Sequence, residues 1–505
     1  MQSPAIQFGL ETEIGISRDN DENLDVVAES IALVRSITEP GVLMRWDYGS
    51  EDPHADMRGF HVEELRQDFD EAQYFAQDVQ RELTFAEIKS DFVIGNGARF
   101  YNDHAHPEYC TPECSSLQEL VAQDRAGERI LMACAQRLTQ QRGSKIRLYK
   151  NNTDFRGHSY GCHENYLLPR SLPWETLVQG IQAFLVTRQI VAGAGKFALE
   201  EEDKFLGPAF QLSQRSDFIS DLQSVDTMQR RPLVNTRDEP HANPKLYRRF
   251  HVIIGDANMS PFATGLKAGT TALVLEALVR DPRRSLPQLW DPLEALKSIS
   301  RDAAFRWEIR LQEDKPATGL EIQRLYLNVV RQVCDLSSRA KAALVTAWEN
   351  VLNDLERDIF LCRNRLDWVA KLALVREFQG SQNLRDDDPW LRSLDLEYHR
   401  LDVAEGLYYG LEQTNAMLGA PEEAAVWHAV SQPPKTTRAY VRGRCIQKFA
   451  ALVVAAQWDH ITLQGSNGPI KISLLDLFAP EDILRYGSAI DAASTPDDLR
   501  MLNTL

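Results

Sequence analysis

Apolar and polar residues alternate along the first stretch of the chain, Ile6–Ile16, which reads IQFGLETEIGI. Its apolar side chains stand at positions 6, 8, 10, 14 and 16, and this period of two predicts a strand with one buried face. The opposite face carries Glu11 and Glu13, about 6–7 Å apart along the strand, with Gly9 and Gly15 beside them. Two carboxylates on one rigid strand repel each other, so they are either solvated at a sheet edge or bind a hard cation such as magnesium.

The hydrophobic spacing divides the rest of the chain into strands and helices. Strands are predicted within 92–114, on both sides of an Asn96-Gly97 turn, and over 146–149, 159–168, 209–213, 246–256, 459–463 and 469–474. Helices are predicted after a start at Asp19–Glu22, and over 116–141, 174–191, most of 261–420, and 438–456. Pro433-Pro434 predicts a boundary between a large domain, 1–434, and a small second domain, 435–505.

The stretch of about 45–80 is rich in acidic residues and shows little periodicity before Glu71. Long loops are uncommon inside compact domains, and they often act as lids or binding loops. This insertion is therefore either a lid over a site or a disordered surface excursion.

The chain has 505 residues and a formal net charge of −17, with 43% hydrophobic and 26% charged residues. These proportions are ordinary for a globular protein with a large core. The negative charge argues against non-specific nucleic-acid binding, which needs a basic surface. Seven scattered cysteines suit reduced thiols better than a disulfide framework. With neither a signal peptide nor a run of 18 apolar residues in the sequence, we expect a cytoplasmic location.

Polar residues on or beside the predicted strands form a candidate site. They are Glu11, Glu13, Arg99, Tyr101, Asp103, Glu108, His163, Arg215, Arg237 and His251. Carboxylates with a histidine suit magnesium, which keeps waters while it bridges phosphates. Arginine suits phosphoryl oxygens because its guanidinium offers paired hydrogen bonds and keeps its charge. The sequence has neither a P-loop nor a G-x-G-x-x-G after the first strand, so a nucleotide enzyme of this kind would bind phosphate through metal and arginine.

Asp103 lies between the segment that contains Arg99 and Tyr101 and the turn at 106–108. A single acid in such a position can be a general base or a nucleophile. His104-Ala105-His106 supports a second interpretation, because an H-x-H pair after a strand can hold zinc or iron in a hydrolase barrel. Against it, eight repeated strand–helix units are not visible in the sequence. A non-catalytic binding scaffold is a third interpretation, although so many paired acids and arginines are costly to keep without a ligand.

The chain resembles the Pup ligase and Pup deamidase/depupylase family, which belongs to the glutamine synthetase-like carboxylate–amine ligases. The resemblance covers nearly the whole chain and rests on Gly9–Ile16, Asn96–Arg99, His106–Tyr109, Tyr149–Asn152, Ser159–Tyr166, Asn235–His241 and His251–Asp256.

Three segments resemble the depupylase branch of this family. They are the insertion from Arg45 to Phe60, the motif Asp103–Glu108, and Phe210–Phe218. Leu10–Glu13 instead resembles the ligase pattern, and the insertion is longer and more acidic than expected. These departures leave open a divergent subgroup that serves another Pup-like modifier.

The resemblance implies an α+β fold with a curved, mostly antiparallel sheet backed by helices, a catalytic domain over 1–434 and a small C-terminal α/β domain over 435–505. It implies ATP and magnesium as cofactors. By the same resemblance, the metal ligands are Glu11, Tyr101 and Glu108, with Glu13, His163 and His251 lining the same site. Arg99, Thr111 and Trp458 would contact ATP, Arg215 and Arg237 would hold phosphate or the modifier's terminal carboxylates, and Asp103 would be the catalytic acid/base.

The implied activity is hydrolysis of the C-terminal Gln side-chain amide of Pup and of the isopeptide bond between Pup and substrate lysines. Either a phosphate split from ATP or Asp103 itself would be the nucleophile. The alternative is the ligase reaction, in which ATP activates the modifier's terminal Glu for attack by a lysine. The implied partners are Pup or a Pup-like modifier, its conjugates and the proteasome system, with the modifier folding as a helix into a hydrophobic groove.

Overall fold

A computed structural model describes residues 6–65, 82–197, 210–228, 230–385 and 388–504. The strands are β1 (Phe8–Glu13), β2 (Gly15–Arg18), β3 (Gly41–Leu43), β4 (Phe92–Ile94), β5 (Arg99–Asp103), β6 (His106–Cys110), β7 (Ile146–Tyr149), β8 (Cys162–Pro169), β9 (Lys196–Phe197), β10 (Phe210–Gln211), β11 (Ile219–Ser224), β12 (Arg231–Asn235), β13 (Tyr247–Val252), β14 (Glu308–Arg310), β15 (Pro316–Thr318), β16 (Val453–Ala456), β17 (His460–Gly465) and β18 (Gly468–Ser473).

The α-helices lie mostly in the middle of the chain. They are α1 (Val26–Arg35), α2 (Phe85–Lys89), α3 (Leu117–Arg142), α4 (Trp174–Thr187), α5 (Gln189–Ala192), α6 (Pro261–Arg280), α7 (Pro292–Arg301), α8 (Gly319–Val333), α9 (Arg339–Arg357), α10 (Asp367–Gln382), α11 (Pro389–Tyr398), α12 (Leu407–Gln413), α13 (Glu423–Ser431), α14 (Ala439–Phe449) and α15 (Pro480–Ala492).

A seven-stranded antiparallel sheet, in the order β13-β8-β1-β6-β5-β4-β3, organises the molecule. The strand β1 lies between β8 and β6, so Glu11 pairs with His163 on one side and with Cys110 on the other. Glu13 lies opposite Glu108. The predicted α+β fold with a mostly antiparallel sheet is confirmed.

The two faces of the sheet differ in chemistry, as the alternation in β1 predicted. Phe8 and Leu10 are buried, and they pack with Tyr166 and Leu168 of β8 in the largest hydrophobic cluster, which also takes in the inner faces of α4, α6 and α8. Glu11 and its neighbours on the odd-numbered positions face the other side, where they are only half-buried. The helices therefore cover one face and leave the other for polar groups.

The long helices follow their sequence signals. The helix α3 starts with a capping box between Ser116 and Glu119 and ends at Gly143 in the left-handed conformation, close to the predicted 116–141. In the described part of the chain, one helix, α6, is long and apolar enough to cross a membrane, but most of it is buried in the core.

Four predicted elements differ from the structure. The first stretch is two strands, because β2 leaves the main sheet after Glu13 and pairs with β7. The helix α1 starts after Asp25, whose side chain accepts a hydrogen bond from the Ala28 N–H, rather than at Asp19–Glu22. The predicted helix 438–456 ends at Phe449, since the following residues pair with β17 as a strand. The hairpin β14–β15 lies within the stretch predicted to be helical.

The C-terminal segment packs directly on the main sheet. Its strands β16–β18 and helices α14 and α15 form a hydrophobic cluster that also contains Val42, Trp46 and Val93. Arg442 of α14 is fully buried, donates to the Gly97 carbonyl at 2.8 Å and pairs with Glu113 at 2.5 Å. Burial raises the pKa of the Glu113 carboxyl, but Arg442 and Arg438 outweigh burial and lower it to about 2. The boundary at residue 434 stays a prediction.

The described part of the insertion, 45–65, joins the C-terminal segment to the large sheet. The Asp47 N–H donates to the Ala456 carbonyl at 2.9 Å, and the Met57 N–H donates to the Thr236 carbonyl at 2.8 Å. The remainder of the predicted insertion, 66–80, falls outside the described residues, and its role as a lid stays a prediction.

We expect Gly97→Ala to destabilise the fold more than Gly143→Ala. Both glycines have positive φ, +85° and +67°, but only at Gly97 would a Cβ meet a neighbour, the Ala439 carbonyl oxygen at 2.9 Å. Backbone strain alone lowers the free energy of unfolding by about 1–2 kcal/mol in each variant. In Gly97→Ala the additional clash should bring the loss of free energy of unfolding to about 2–4 kcal/mol. Thermal unfolding of the two variants measures the difference, and equal midpoints would contradict this packing role.

Candidate active site

Strands β1, β8 and β13 bring one carboxylate and two imidazoles together. His163 Nδ1 lies 3.4 Å and His251 Nε2 3.5 Å from Glu11 Oε2. Asn165 donates to Glu11 Oε1 at 2.9 Å, and Arg249 lies 3.7 Å from the same oxygen. Since Glu11 is opposite His163 in the register and His251 is opposite Asn165, the antiparallel pairing itself places this group.

A second group consists of three carboxylates. One oxygen each of Glu13, Asp103 and Glu108 lie within 4.8 Å of one another, contributed by β1, β5 and β6. Burial, together with the charges of Asp103, Glu11 and Glu13, raises the pKa of Glu108 well above its usual range. Three acids at this distance call for a bound cation, because it would remove their mutual repulsion.

These two groups fit a divalent cation. Burial and the nearby Arg249 lower the pKa of His251 to about 3, so its imidazole is neutral. Neither ring nitrogen of His251 makes a hydrogen bond to a described residue, which leaves a lone pair for a metal. The carboxylate oxygens provide the hard ligands that magnesium prefers.

Asp103 ends β5 beside this cluster. Its carboxylate forms an ion pair with the Lys89 ammonium, and His104 Nε2 lies 3.9 Å away. Burial raises the pKa of Asp103, but the charges of Lys89 and His104 outweigh burial and lower it below its usual range. The carboxylate is therefore ionised.

Arg215 is a buried cation and Arg237 a half-buried one, and each has an unused donor. The Nε of each lacks a hydrogen-bond partner among the described residues. Burial and the charge of Arg231 lower the pKa of Arg215 to about 10, and burial also lowers the pKa of Arg237. Desolvated guanidinium groups with free N–H donors suit an anion such as phosphate or carboxylate.

Thr111 and Trp458 line one cleft between the main sheet and the C-terminal segment. Gly9, Glu11 and Phe478 contribute to the same cleft. The aromatic ring of Trp458 and the carboxylate of Glu11 in one cleft suit a nucleotide, with its base near the ring and its phosphates near the carboxylate.

The Arg99 side chain contacts several protein groups, one of which is the ring of Tyr101. The Arg99 guanidinium lies between the rings of Trp46 and Tyr101, at 4.1 and 3.9 Å from their centroids. It also donates to Asp91 at 2.6 Å and to the Tyr48 hydroxyl at 2.9 Å. Burial, with the charges of Asp103 and Glu108, raises the pKa of Tyr101 well above its usual range. The roles of Arg99 and Tyr101 toward ATP and metal stay predictions.

Sequence reasoning missed Arg249, Asn165 and Lys89 as site residues. Arg249 is two positions before His251 and Asn165 two positions after His163, so the period of two would have placed both on the site face. No local signal pointed to Lys89, whose place depends on the packing of α2 against β5.

The barrel interpretation of His104-Ala105-His106 is wrong. The main sheet is open and antiparallel, and neither histidine belongs to the two groups of described residues that could hold a metal ion. His106 instead stacks on Tyr160 and lies 3.6 Å from Glu13.

Comparison with known proteins shows related sequences over most of the chain. Residues 7–462 match the family described as Pup-ligase protein. A depupylase of Acidothermus cellulolyticus is 41% identical over 470 residues, which cover 90% of each chain. A Pup deamidase/depupylase of Mycobacterium tuberculosis is 38% identical, covering 93% of each chain. A Pup–protein ligase of Acidimicrobium ferrooxidans is 40% identical, covering 78% of this chain and 88% of the relative.

Two solved structures resemble the fold. The Pup ligase PafA in complex with Pup gives a TM-score of 0.77 at 29% identity, covering 99% of this chain and 95% of that chain. PafA in complex with ADP gives a TM-score of 0.72 at 32% identity, covering 85% and 96%. The arrangement of sheet and helices is therefore shared with these ligases.

We expect Gly161→Ala to weaken divalent cation binding. A Cβ at this position would overlap the His163 imidazole and lie 2.7 Å from Glu13 Oε1, and it would therefore displace one member of each of the two groups that could hold a metal ion. Affinity for Mn²⁺ in the presence of ATP, followed by electron paramagnetic resonance, should fall about 10- to 100-fold. Gly410→Ala, where a Cβ meets nothing within 4 Å, is the control; equal affinities in both variants would contradict this role of Gly161.

Proposed function

Because the chain belongs to the Pup ligase family, we propose that it is a Pup deamidase and depupylase, a hydrolase of side-chain amides that depends on ATP and magnesium. The observation that carries this proposal is the ionised Asp103 beside Glu13 and Glu108, with oxygens within 4.8 Å. The relatives named depupylase align with 90–93% of the chain, and the ligase relative with 78%, which supports hydrolysis over ligation.

Both reactions break the same bond. The C–N bond of a glutamyl side-chain amide is hydrolysed; one water molecule supplies the oxygen for the carbonyl carbon and a proton for the nitrogen. The leaving group is ammonia when Pup ends in Gln and a lysine side-chain amine when Pup is conjugated. One site can therefore catalyse deamidation and depupylation.

Different residues of the site would transfer the proton, bind the anionic groups and hold the metal. Asp103 accepts the proton of the attacking oxygen and passes it to the leaving nitrogen. Arg215 and Arg237 hold phosphate or the carboxylates at the modifier's C-terminus. Glu11, Glu13, Glu108, His163 and His251 would hold magnesium, which supplies positive charge for the nucleotide phosphates and the developing oxyanion.

Other features support the proposed nucleotide and the proposed cellular location. The ADP complex of PafA and the cleft lined by Thr111 and Trp458 support ATP as the nucleotide. All seven cysteines are free and buried, which supports a reducing cytoplasm. The partners we propose are Pup, its conjugates and the proteasome system that they serve.

Ligation is the second candidate, favoured by the ligase relative at 40% identity and by the PafA structures. The two are separated by mass spectrometry with purified protein, magnesium and ATP. Conversion of Gln-ended Pup to Glu-ended Pup, or release of unmodified protein from a conjugate, establishes hydrolysis. Attachment of Glu-ended Pup to lysines, with ATP consumed in proportion, establishes ligation instead.

Asp103→Asn should slow both hydrolytic reactions strongly and leave nucleotide binding nearly unchanged. An amide cannot accept the proton, so turnover should fall about 100- to 10,000-fold. Mass spectrometry measures turnover, and calorimetric titration measures ATP affinity. Asp335→Asn, which changes an acid that caps an exposed turn, should keep full activity. Full activity of Asp103→Asn would remove Asp103 from the mechanism.

A further inference from the structure

The carboxylate of Asp256 is buried and accepts four hydrogen bonds. Its Oδ2 accepts from the Ala194 N–H at 2.8 Å and from the Gln214 N–H at 3.1 Å. Its Oδ1 accepts from the Ser213 hydroxyl at 2.9 Å and from the Arg215 N–H at 3.3 Å. Three of these donors belong to consecutive residues, so Asp256 holds the backbone of the turn that carries Arg215.

Two further side chains support this turn and Asp256. The Ser213 hydroxyl accepts from the N–H groups of Arg215 and Ser216, at 3.1 and 3.2 Å, where a short 3-10 turn begins. On the other side of Asp256, the ammonium of Lys267 on α6 donates to the Asp256 carbonyl at 2.5 Å. One carboxylate therefore connects the turn to a helix of the core.

The side chain of Arg215 extends from this turn toward the candidate active site. Its Nη1 donates to the Tyr160 carbonyl, and the next residue, Gly161, is where a Cβ would lie 2.7 Å from Glu13 Oε1. Burial and the charge of Arg231 lower the pKa of Arg215, and the charge of Glu13 acts in the opposite direction. The guanidinium is thus oriented at its far end by a carbonyl and at its near end by the turn.

We propose that Asp256 is a positioning residue for Arg215: its carboxylate fixes the turn 213–215, so that the guanidinium meets phosphate or the modifier's terminal carboxylates. This inference rests on the proposed function, in which Arg215 binds that anion. Asp256 acts through the backbone of the turn.

An amide cannot replace this carboxylate. Each oxygen of Asp256 accepts from two donors, so the NH2 group of Asp256→Asn would face two N–H or O–H donors in either orientation. The turn would have to move, and a displacement of about 1 Å in a group that orients the substrate can slow a reaction about 100-fold.

A double-mutant cycle tests whether Asp256 acts through Arg215. Asp256→Asn should lower kcat/KM for Gln-ended Pup about 10- to 100-fold in the wild type. In Arg215→Ala, where no guanidinium remains to be positioned, the same change should lower it less than about twofold. The loss should also appear in the constant, kcat or KM, that Arg215→Ala itself changes.

Asp367→Asn is the matched control for this cycle. Asp367 is also buried, and it accepts from the Ser260 N–H at 2.9 Å and from the Asn258 amide at 3.0 Å. It therefore holds residues 258–260 instead of the turn, and any effect of Asp367→Asn should be the same with and without Arg215.

Ser213→Ala tests the same support if Asp256→Asn does not fold. It removes one acceptor of the Arg215 N–H and one donor to Asp256. The kcat/KM should fall about 3- to 10-fold in the wild type, the size of one or two hydrogen bonds, and less than about twofold in Arg215→Ala.

A spectroscopic measurement tests the position of Arg215 without catalysis. In protein labelled with ¹⁵N-arginine, the Nε–H signal of Arg215 is the one that Arg215→Lys removes. This signal should shift in Asp256→Asn and stay unchanged in Asp367→Asn, because only the first substitution releases the turn.

Equal losses of kcat/KM from Asp256→Asn in the wild type and in Arg215→Ala would overturn the positioning role, since Asp256 would then act independently of Arg215. An unchanged Arg215 signal in Asp256→Asn would overturn it as well. If the wild type hydrolyses neither Pup substrate, the proposed function fails, and the Nε–H signal still decides whether Asp256 positions Arg215.

Discussion

The repulsion among carboxylates on one face of the main sheet is the constraint on which the site depends. Two unit charges 4 Å apart near a protein surface interact by about 4 kcal/mol, and Glu13, Asp103 and Glu108 bring three acids within 4.8 Å. The fold tolerates these acids and the neighbouring Glu11 by placing cations near them: Lys89 pairs with Asp103, Arg249 lies near Glu11, and the charges of Arg215 and Arg237 also act on the group. The remaining imbalance is what a divalent cation with a phosphorylated ligand would correct.

The C-terminal segment contributes to the nucleotide cleft through one buried arginine. Arg442 holds the Gly97 turn, pairs with Glu113 and lies 4.7 Å from the ring centroid of Trp458. The same side chain therefore holds both the turn between β4 and β5 and the aromatic wall of the cleft. The helix α14 thus contacts, through Arg442, the place where the base of a nucleotide would lie.

Local patterns in the sequence predicted those parts of the fold that local physics determines. The alternation in β1 placed Glu11 and Glu13 on one face, and the cap at Ser116 and the stop at Gly143 delimited α3. The motifs that resemble the family placed His163 and His251, which the register then brings together. What sequence could not show depends on distant packing. Lys89 reaches Asp103 only because α2 docks beside β5, and the helix predicted beyond Phe449 gives way to β16, because β17 offers it a partner.

Alternate residues of the strand β1 belong to the hydrophobic core and to the candidate active site. Phe8 and Leu10 belong to the core, whereas Gly9, Glu11 and Glu13 belong to the site. Deleting a single residue from this strand would turn the acids into the core and the apolar groups toward the cleft. Evolution can therefore exchange side chains in β1 one at a time, but it cannot change the length of the strand. A connection such as the segment that follows β3 is free of this restriction, because a change in its length does not reverse the faces of a strand.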